Sequence, residues 1–169
     1  MNLESISLLY RYHVWAYDRI LYAAARLTPE QFNQPLDCLG GEPPRSLRAV
    51  LIHLLNAEWV WRSRTMLGIS PTAALDTSGL TTPAELFAQL REETETMRYY
   101  IAGLTSARLQ EPVTYTTTGG RSFATPLWQI LAHMVLHGMQ HRSEAALALT
   151  NFDASPGDID LIRFLRESQ

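Results

Sequence analysis

Three histidines lie at four-residue intervals in one apolar segment of the chain: His133, His137 and His141. An α-helix turns about 100° per residue, so a step of four residues overshoots one turn by only about 40°. The three imidazoles are therefore predicted to share one stripe of a helix, within roughly 80° of arc. Neutral imidazole is the commonest metal ligand, and two histidines at i and i+4 can reach one ion. The spacing thus indicates a metal site to which this helix contributes at least two ligands.

A catalytic site of the zinc type usually takes three protein ligands and leaves one position open. The span from His133 to His141 rises about 12 Å along a helix, which is too far for one ion to be reached easily from both ends. His137 and His141 combined with a histidine from another helix give a better geometry. The sequence offers His13 and His53 for that place. Spacing alone does not choose between them.

A competing interpretation has no metal, with the histidines hydrogen-bonded to backbone or tyrosine groups inside a core. A run of three histidines plus a further one in mid-helix favours the metal. Asn56, His133 and His13 are then candidates to line a pocket beside the ion. Three tryptophans could also line a pocket, but large aromatic residues at helical spacing usually belong to the core, and we interpret them so: Trp59, Trp61 and Trp128.

Missing motifs narrow the type of site. The H-E-x-x-H pattern of zinc proteases is absent, because Met134 and Gly138 follow the first two histidines of the run. The Glu-x-x-His pairs of di-iron bundles are absent as well. Neither a glycine-rich phosphate loop nor a Gly-x-Ser-x-Gly element is present. The single cysteine, Cys38, excludes an internal disulfide and a cysteine-based zinc cage.

Composition excludes several kinds of partner. The 169 residues carry 14 Lys and Arg against 17 Asp and Glu, for a net charge of −3, and no basic block occurs. Nucleic acid is therefore not expected as a partner, because its binding requires a clustered positive surface. The N-terminus does not resemble a signal peptide, and no apolar run is long enough for a transmembrane helix. We expect a soluble, cytoplasmic protein with one domain over residues 1–169.

Helices are predicted to position these residues. Apolar residues at three- and four-residue spacing, with capping residues and prolines at the ends, predict four long helices at residues 3–28, 46–67, 82–102 and 125–150. A short last helix is expected to open at residues 155–158 and run through Leu165, with a loop at 33–45 and a β-hairpin or extended loop at 113–123. The second helix is apolar nearly all round over residues 49–61, so we expect neighbours to enclose it. The fold class is all-α, a four-helix bundle with a short fifth C-terminal helix.

Four motifs in the same order resemble the DinB-like family, also described as the DinB/YfiT-like metalloenzyme superfamily. Residues 12–17 resemble its Y-N-x-W-A-N opening, and residues 46–61 its S-x-x-x-x-L-x-H-x-x-x-A-E-x-x-W segment. Residues 137–142 are similar to its H-x-x-x-H-R signature, and residues 156–165 to its terminal P-x-x-L-D-L segment. The chain departs from the family at His13, where asparagine is usual. It also departs at Ser143 and Glu144, where the family often has Gly-Gln.

The resemblance implies a bundle with up-down-down-up order, commonly a homodimer, and one divalent ion per protomer, with zinc or nickel in most members. Carried over by position, the ligands are His53, His137 and His141. His13 and His133 then lie outside the ligand set.

Three functions follow as hypotheses. The leading one is a metal-dependent transferase that adds a low-molecular-weight thiol, such as bacterial bacillithiol or mycothiol, to an electrophile. A related hydrolase would need a general acid or base near the metal, for which Asp18, Glu58 or Glu144 are the candidates. The alternative class is a non-catalytic homodimer that binds a metal or a small molecule in a stress response. It predicts a saturated ion with His133 or His13 as the fourth ligand.

Overall fold

The computed structural model describes residues 1–80 and 82–168. Thr81 and Gln169, which belong to the predicted domain 1–169, lie outside the described residues. The described residues form seven α-helices, one turn of 3-10 helix and one two-stranded sheet. The helices are α1 (Leu3–Ala24), α2 (Pro29–Asn33), α3 (Leu47–Met66), α4 (Pro83–Ala102), α5 (Ser106–Gln110), α6 (Leu127–Asn151) and α7 (Leu161–Glu167). The strands are β1 (Pro112–Thr116) and β2 (Ser122–Pro126).

The long helices begin where their capping residues predict. The Ser46 hydroxyl accepts a hydrogen bond from the Ala49 backbone N–H at 3.2 Å and starts α3. Thr82 forms a capping box with Glu85 at the start of α4, with Pro83 in the first turn. These side chains satisfy N–H groups that have no partner inside the helix. Four long helices are therefore confirmed, with boundaries within a few residues of the prediction.

Two helix boundaries differ from the prediction, and two short helices, α2 and α5, were not predicted. The first helix ends at Ala24, and the separate helix α2 begins behind its own capping box at Thr28. Thr105 caps the short helix α5, which was not predicted. The last helix begins at Leu161, so residues 155–160 are not helical. The predicted loop at 33–45 contains one turn of 3-10 helix, Asp37–Leu39.

The four long helices pack as a closed ring, in which α1 and α3 each contact both α4 and α6. Two apolar clusters fill the inside. One includes Ile20, Leu51 and Leu149, and the other includes Ile6, Met97 and Leu131. This arrangement agrees with a mostly helical bundle, while the up-down-down-up order stays a prediction. No helix within the described residues is both long and apolar enough to cross a membrane.

The enclosure predicted for the second helix is incomplete. Leu51, Leu54 and Leu55 of α3 are buried, but His53 is exposed and Asn56 is half-buried. One face of α3 therefore packs into the core, and the face that carries His53 reaches the surface beside α6.

The segment between α5 and α6 forms a β-hairpin, the first of the two alternatives predicted for it. Strands β1 and β2 pair antiparallel, with Val113 opposite Thr125 and Tyr115 opposite Phe123. Gly120 adopts φ 78°, in the left-handed region that favours glycine, and this permits the tight turn. The hairpin contacts α3 through β1 and α6 through β2. It thus brings Tyr115 to the end of the histidine stripe.

Candidate metal centre

Helices α3 and α6 bring three histidines together. His53, His137 and His141 each offer one ring nitrogen, and these nitrogens all lie within 4.8 Å of one another. The Nε2 atoms of His53 and His137 are 3.2 Å apart. The ring centre of His141 lies 4.4 Å from that of His53 and 4.5 Å from that of His137. Three converging imidazole nitrogens are a donor set that suits zinc, nickel, copper or iron, so the residues fit a divalent ion.

The cluster lies at the surface and not inside the bundle. His53 is exposed, His137 is half-buried and His141 is buried. Burial first, and then the neighbouring imidazoles, lower the pKa of His137 to about 4. Partial desolvation of its ring, and then the neighbouring His141, also lower the pKa of His53. Both rings are therefore neutral at pH 7, the state that a metal ligand requires.

These pKa shifts predict a pH dependence for the metal-free protein. The pKa of His137 is about 4 in the folded state, against an ordinary value of 6.5, so the unfolded chain binds more protons between these values. The free energy of unfolding should fall as the pH drops from about 6.5 towards 4. Urea denaturation with a chelator at pH 7, 5.5 and 4.5 measures this loss. His137→Ala should show a shallower decline, and an equal decline in both proteins would contradict the prediction.

Glu144 holds His141 from the other side of its ring. The Nδ1 atom of His141 is 2.7 Å from Glu144 Oε2, and Arg45 Nη2 is 3.1 Å from Glu144 Oε1. Burial acts to raise the pKa of Glu144, but the hydrogen bonds from Arg45 and His141 outweigh it and lower this pKa. The carboxylate therefore accepts a hydrogen bond from the Nδ1–H of His141, and Nε2 is left as the ligand atom. Carboxylates placed behind metal-binding histidines fix the ring and raise its basicity.

Glu144→Gln should weaken zinc binding by about tenfold. The amide keeps a hydrogen-bond acceptor for His141 but removes the negative charge, so the imidazole becomes a weaker base. Competition with a chromophoric zinc chelator measures the affinity. Glu95→Gln, a change on α4 far along the chain from the cluster, is the matched control and should leave the affinity unchanged. Unchanged zinc affinity in Glu144→Gln would exclude the orienting role.

A buried polar network lies beneath the cluster and joins three helices. Glu58 of α3 accepts a hydrogen bond from the Tyr10 hydroxyl at 3.0 Å, and its second oxygen is 2.6 Å from His13 Nε2. Arg142 Nη1, one residue after His141, lies 2.7 Å from His13 Nδ1. Arginine has only donors, so Nδ1 of His13 accepts and its Nε2–H donates to Glu58. Burial lowers the pKa of His13 and outweighs the opposing effect of Glu58, which agrees with this neutral form.

Arg142 occupies the interior of the bundle and is 1% exposed. Its guanidinium carbon lies 5.6 Å from the ring centre of Tyr12 and 5.0 Å from that of Tyr17. Its Nε and Nη2 atoms have no hydrogen-bond acceptor among the described residues, so the aromatic faces supply the remaining stabilisation of the cation. Arg142 therefore takes His13 as its hydrogen-bond partner and packs against two tyrosine rings.

The remaining candidates from the sequence have separate places. Asn56 accepts a hydrogen bond from the Leu75 backbone N–H at 2.9 Å and so holds the loop before α4. Asp18 forms a surface ion pair with Arg91. His13 is enclosed in the core, whereas His133 lies on the exposed stripe, with its ring centre 5.5 Å from that of His137. Neither His13 nor His133 belongs to the three-histidine group.

A helical ring with a three-histidine cluster on one face defines a class of helical protein suited to holding one metal ion. The chain belongs to the DinB superfamily, whose family model matches residues 12–145. This match confirms the resemblance seen in the sequence, and members of the superfamily commonly bind metal. Among curated proteins, none matches this sequence significantly.

Proposed function

We propose that this protein is a metal-dependent enzyme that transfers a low-molecular-weight thiol to an electrophile. The observation that carries the proposal is the convergence of His53, His137 and His141 at an accessible surface. These three side chains would hold the ion, and Glu144 with Arg45 would keep His141 turned towards it. A bound dication supplies a Lewis acid that favours the thiolate form of a thiol at neutral pH.

The positions of the carboxylates favour thiol transfer over hydrolysis. Glu58 is 3% exposed and is occupied by Tyr10 and His13. Asp18 is paired with Arg91, and Glu144 contacts His141 on the Nδ1 side. None of the three carboxylates named from the sequence is therefore free to act as a general base for water. A thiol whose proton is already easily lost has less need of such a base.

The same geometry favours an open site over a saturated one. A non-catalytic, closed site would use His133 or His13 as a fourth ligand. His13 is bound to Glu58 and Arg142 within the core. His133 lies one turn before His137 and outside the group whose nitrogens lie within 4.8 Å. A position for substrate therefore remains beside the exposed His53.

The test is thiol consumption by the metal-loaded protein. Bacillithiol or mycothiol is mixed with 1-chloro-2,4-dinitrobenzene and zinc- or nickel-loaded protein, and formation of the aryl thioether is followed by absorbance. Turnover that disappears in His137→Ala supports the proposal. Absence of both thiol binding and thioether formation with a fully metal-loaded protein would contradict it, and would leave the binding-protein alternative.

A further inference from the structure

A small aromatic cleft adjoins the histidine cluster at the end of its stripe. It has a volume of about 190 Å³ and is lined by Trp61, Tyr115, Thr125, Gln129, Ile130 and His133. Its residues come from α3, the hairpin and α6, so it exists only where these three elements meet. An apolar cavity of about 150 Å³ is large enough for benzene. The cleft therefore has room for one small ring.

The aromatic walls of the cleft are held in fixed positions. The rings of Trp61 and Tyr115 meet edge to face, with centres 5.1 Å apart and planes at 77°. The Arg64 guanidinium packs against both, 4.8 Å from Trp61 and 4.9 Å from Tyr115. Arg64 also donates a hydrogen bond to the Thr116 carbonyl at 3.1 Å. Arg64 is 8% exposed and connects α3 to the hairpin, so the walls are preformed.

His133 connects the cleft to the histidine cluster. Its ring centre is 5.5 Å from Trp61 on one side and 5.5 Å from His137 on the other. Within the described part of the chain His133 makes no hydrogen bond to protein, so its ring nitrogens remain able to pair with a ligand. Thr125 and Gln129 also line the cleft and carry polar side chains. Only the imidazole of His133 thus separates a molecule in the cleft from His137.

We propose that this cleft binds the planar, aromatic or conjugated part of the electrophile that receives the thiol. Flat rings gain from edge-to-face and offset contacts with Trp61 and Tyr115, which a saturated ring of equal size does not make. The polar groups of His133, Thr125 and Gln129 suit one hydroxyl, carbonyl or nitro substituent on such a ring. The identification of the ligand as an electrophile rests on the proposed function. The binding of a flat ring in the cleft does not require the metal.

The experiment compares two small ligands that differ in planarity. Protein labelled with ¹⁵N at tryptophan is titrated with p-cresol and with 4-methylcyclohexanol, both with and without one equivalent of zinc. The chain has 4 tryptophans, and Trp61→Phe assigns the indole signal of Trp61. p-Cresol should shift that signal and bind about 2- to 10-fold more tightly than the saturated alcohol.

Two substitutions complete the test. Tyr115→Leu removes one wall and should weaken p-cresol binding by about fivefold. Trp59→Leu is the matched control, because Trp59 lines a different depression with Leu67 and Pro71, and it should leave binding unchanged. An unshifted Trp61 signal, or equal affinity for p-cresol and 4-methylcyclohexanol, would overturn the inference. If the protein bound p-cresol but failed to retain zinc, the cleft would stand as a binding site for flat rings. The proposed metal-dependent function would then be contradicted.

Discussion

Glu58→Ala should lower the free energy of unfolding by about 3–5 kcal/mol. The substitution leaves the buried hydroxyl of Tyr10 and the Nε2–H of His13 without an acceptor. It also removes the negative charge that faces Arg142 across His13, and an uncompensated buried cation is costly. The three affected side chains come from α1 and α6, so the loss should loosen the contacts of α3 with both helices.

Urea denaturation of the metal-free protein at pH 7 measures this effect. Glu92→Ala, an exposed position on α4, is the matched control and should change the free energy of unfolding by less than about 0.5 kcal/mol. Glu58→Gln keeps the shape of the side chain and one acceptor oxygen. Its loss of free energy of unfolding should therefore fall between those of Glu58→Ala and Glu92→Ala. If Glu58→Ala and Glu92→Ala were equally stable, the network would not contribute to folding.

Gly138→Ala is the second substitution with a large expected effect, about 2 kcal/mol of destabilisation. A Cβ atom at this position would lie 2.3 Å from His13 Cε1 and 2.8 Å from Arg142 Nη1. The helix gains about 1 kcal/mol when glycine becomes alanine, but the clash forces His13 away from Glu58 or α1 away from α6. The glycine therefore permits the close approach that the buried network needs.

Thermal denaturation of Gly138→Ala at several pH values tests this account. Gly103→Ala is the matched control, because its Cβ would meet only ordinary contacts, the nearest at 3.6 Å, and its φ of −88° suits any residue. Gly103→Ala should leave the stability of the protein nearly unchanged. A Gly138→Ala protein as stable as the wild type would show that α1 and α6 can separate at little cost.

The candidate ligands were accessible from the sequence because helical spacing is a local property. The interval of four between His137 and His141 places both rings on one face, and the resemblance added His53. The structure then brings these three together. The hairpin was also predictable from its adjacent glycines and β-branched residues. The start of α2 at Thr28, by contrast, was overlooked. Thr28 forms a capping box and is followed by proline, which is the same pattern that starts α4 at Thr82.

The buried network was not predictable because its members are distant in the chain. His13 and Glu58 are 45 residues apart, and Arg142 and His13 are 129 apart. The partners of Glu58 on α3 are a histidine and a tyrosine of α1. Trp61 was interpreted as core because its pattern along α3 does not reveal that the hairpin leaves a cleft beside it. Only the packing of separate elements determines these contacts.

Metal content per protomer shows whether His53, His137 and His141 together hold one divalent ion. Elemental analysis is made on the wild type, on His53→Ala, His137→Ala and His141→Ala, and on His133→Ala as a matched control from the same stripe. About one equivalent of zinc or nickel is expected in the wild type and in His133→Ala, and loss of the metal is expected in each of the other three variants. A wild type that remains metal-free after anaerobic reconstitution with either ion would contradict this expectation.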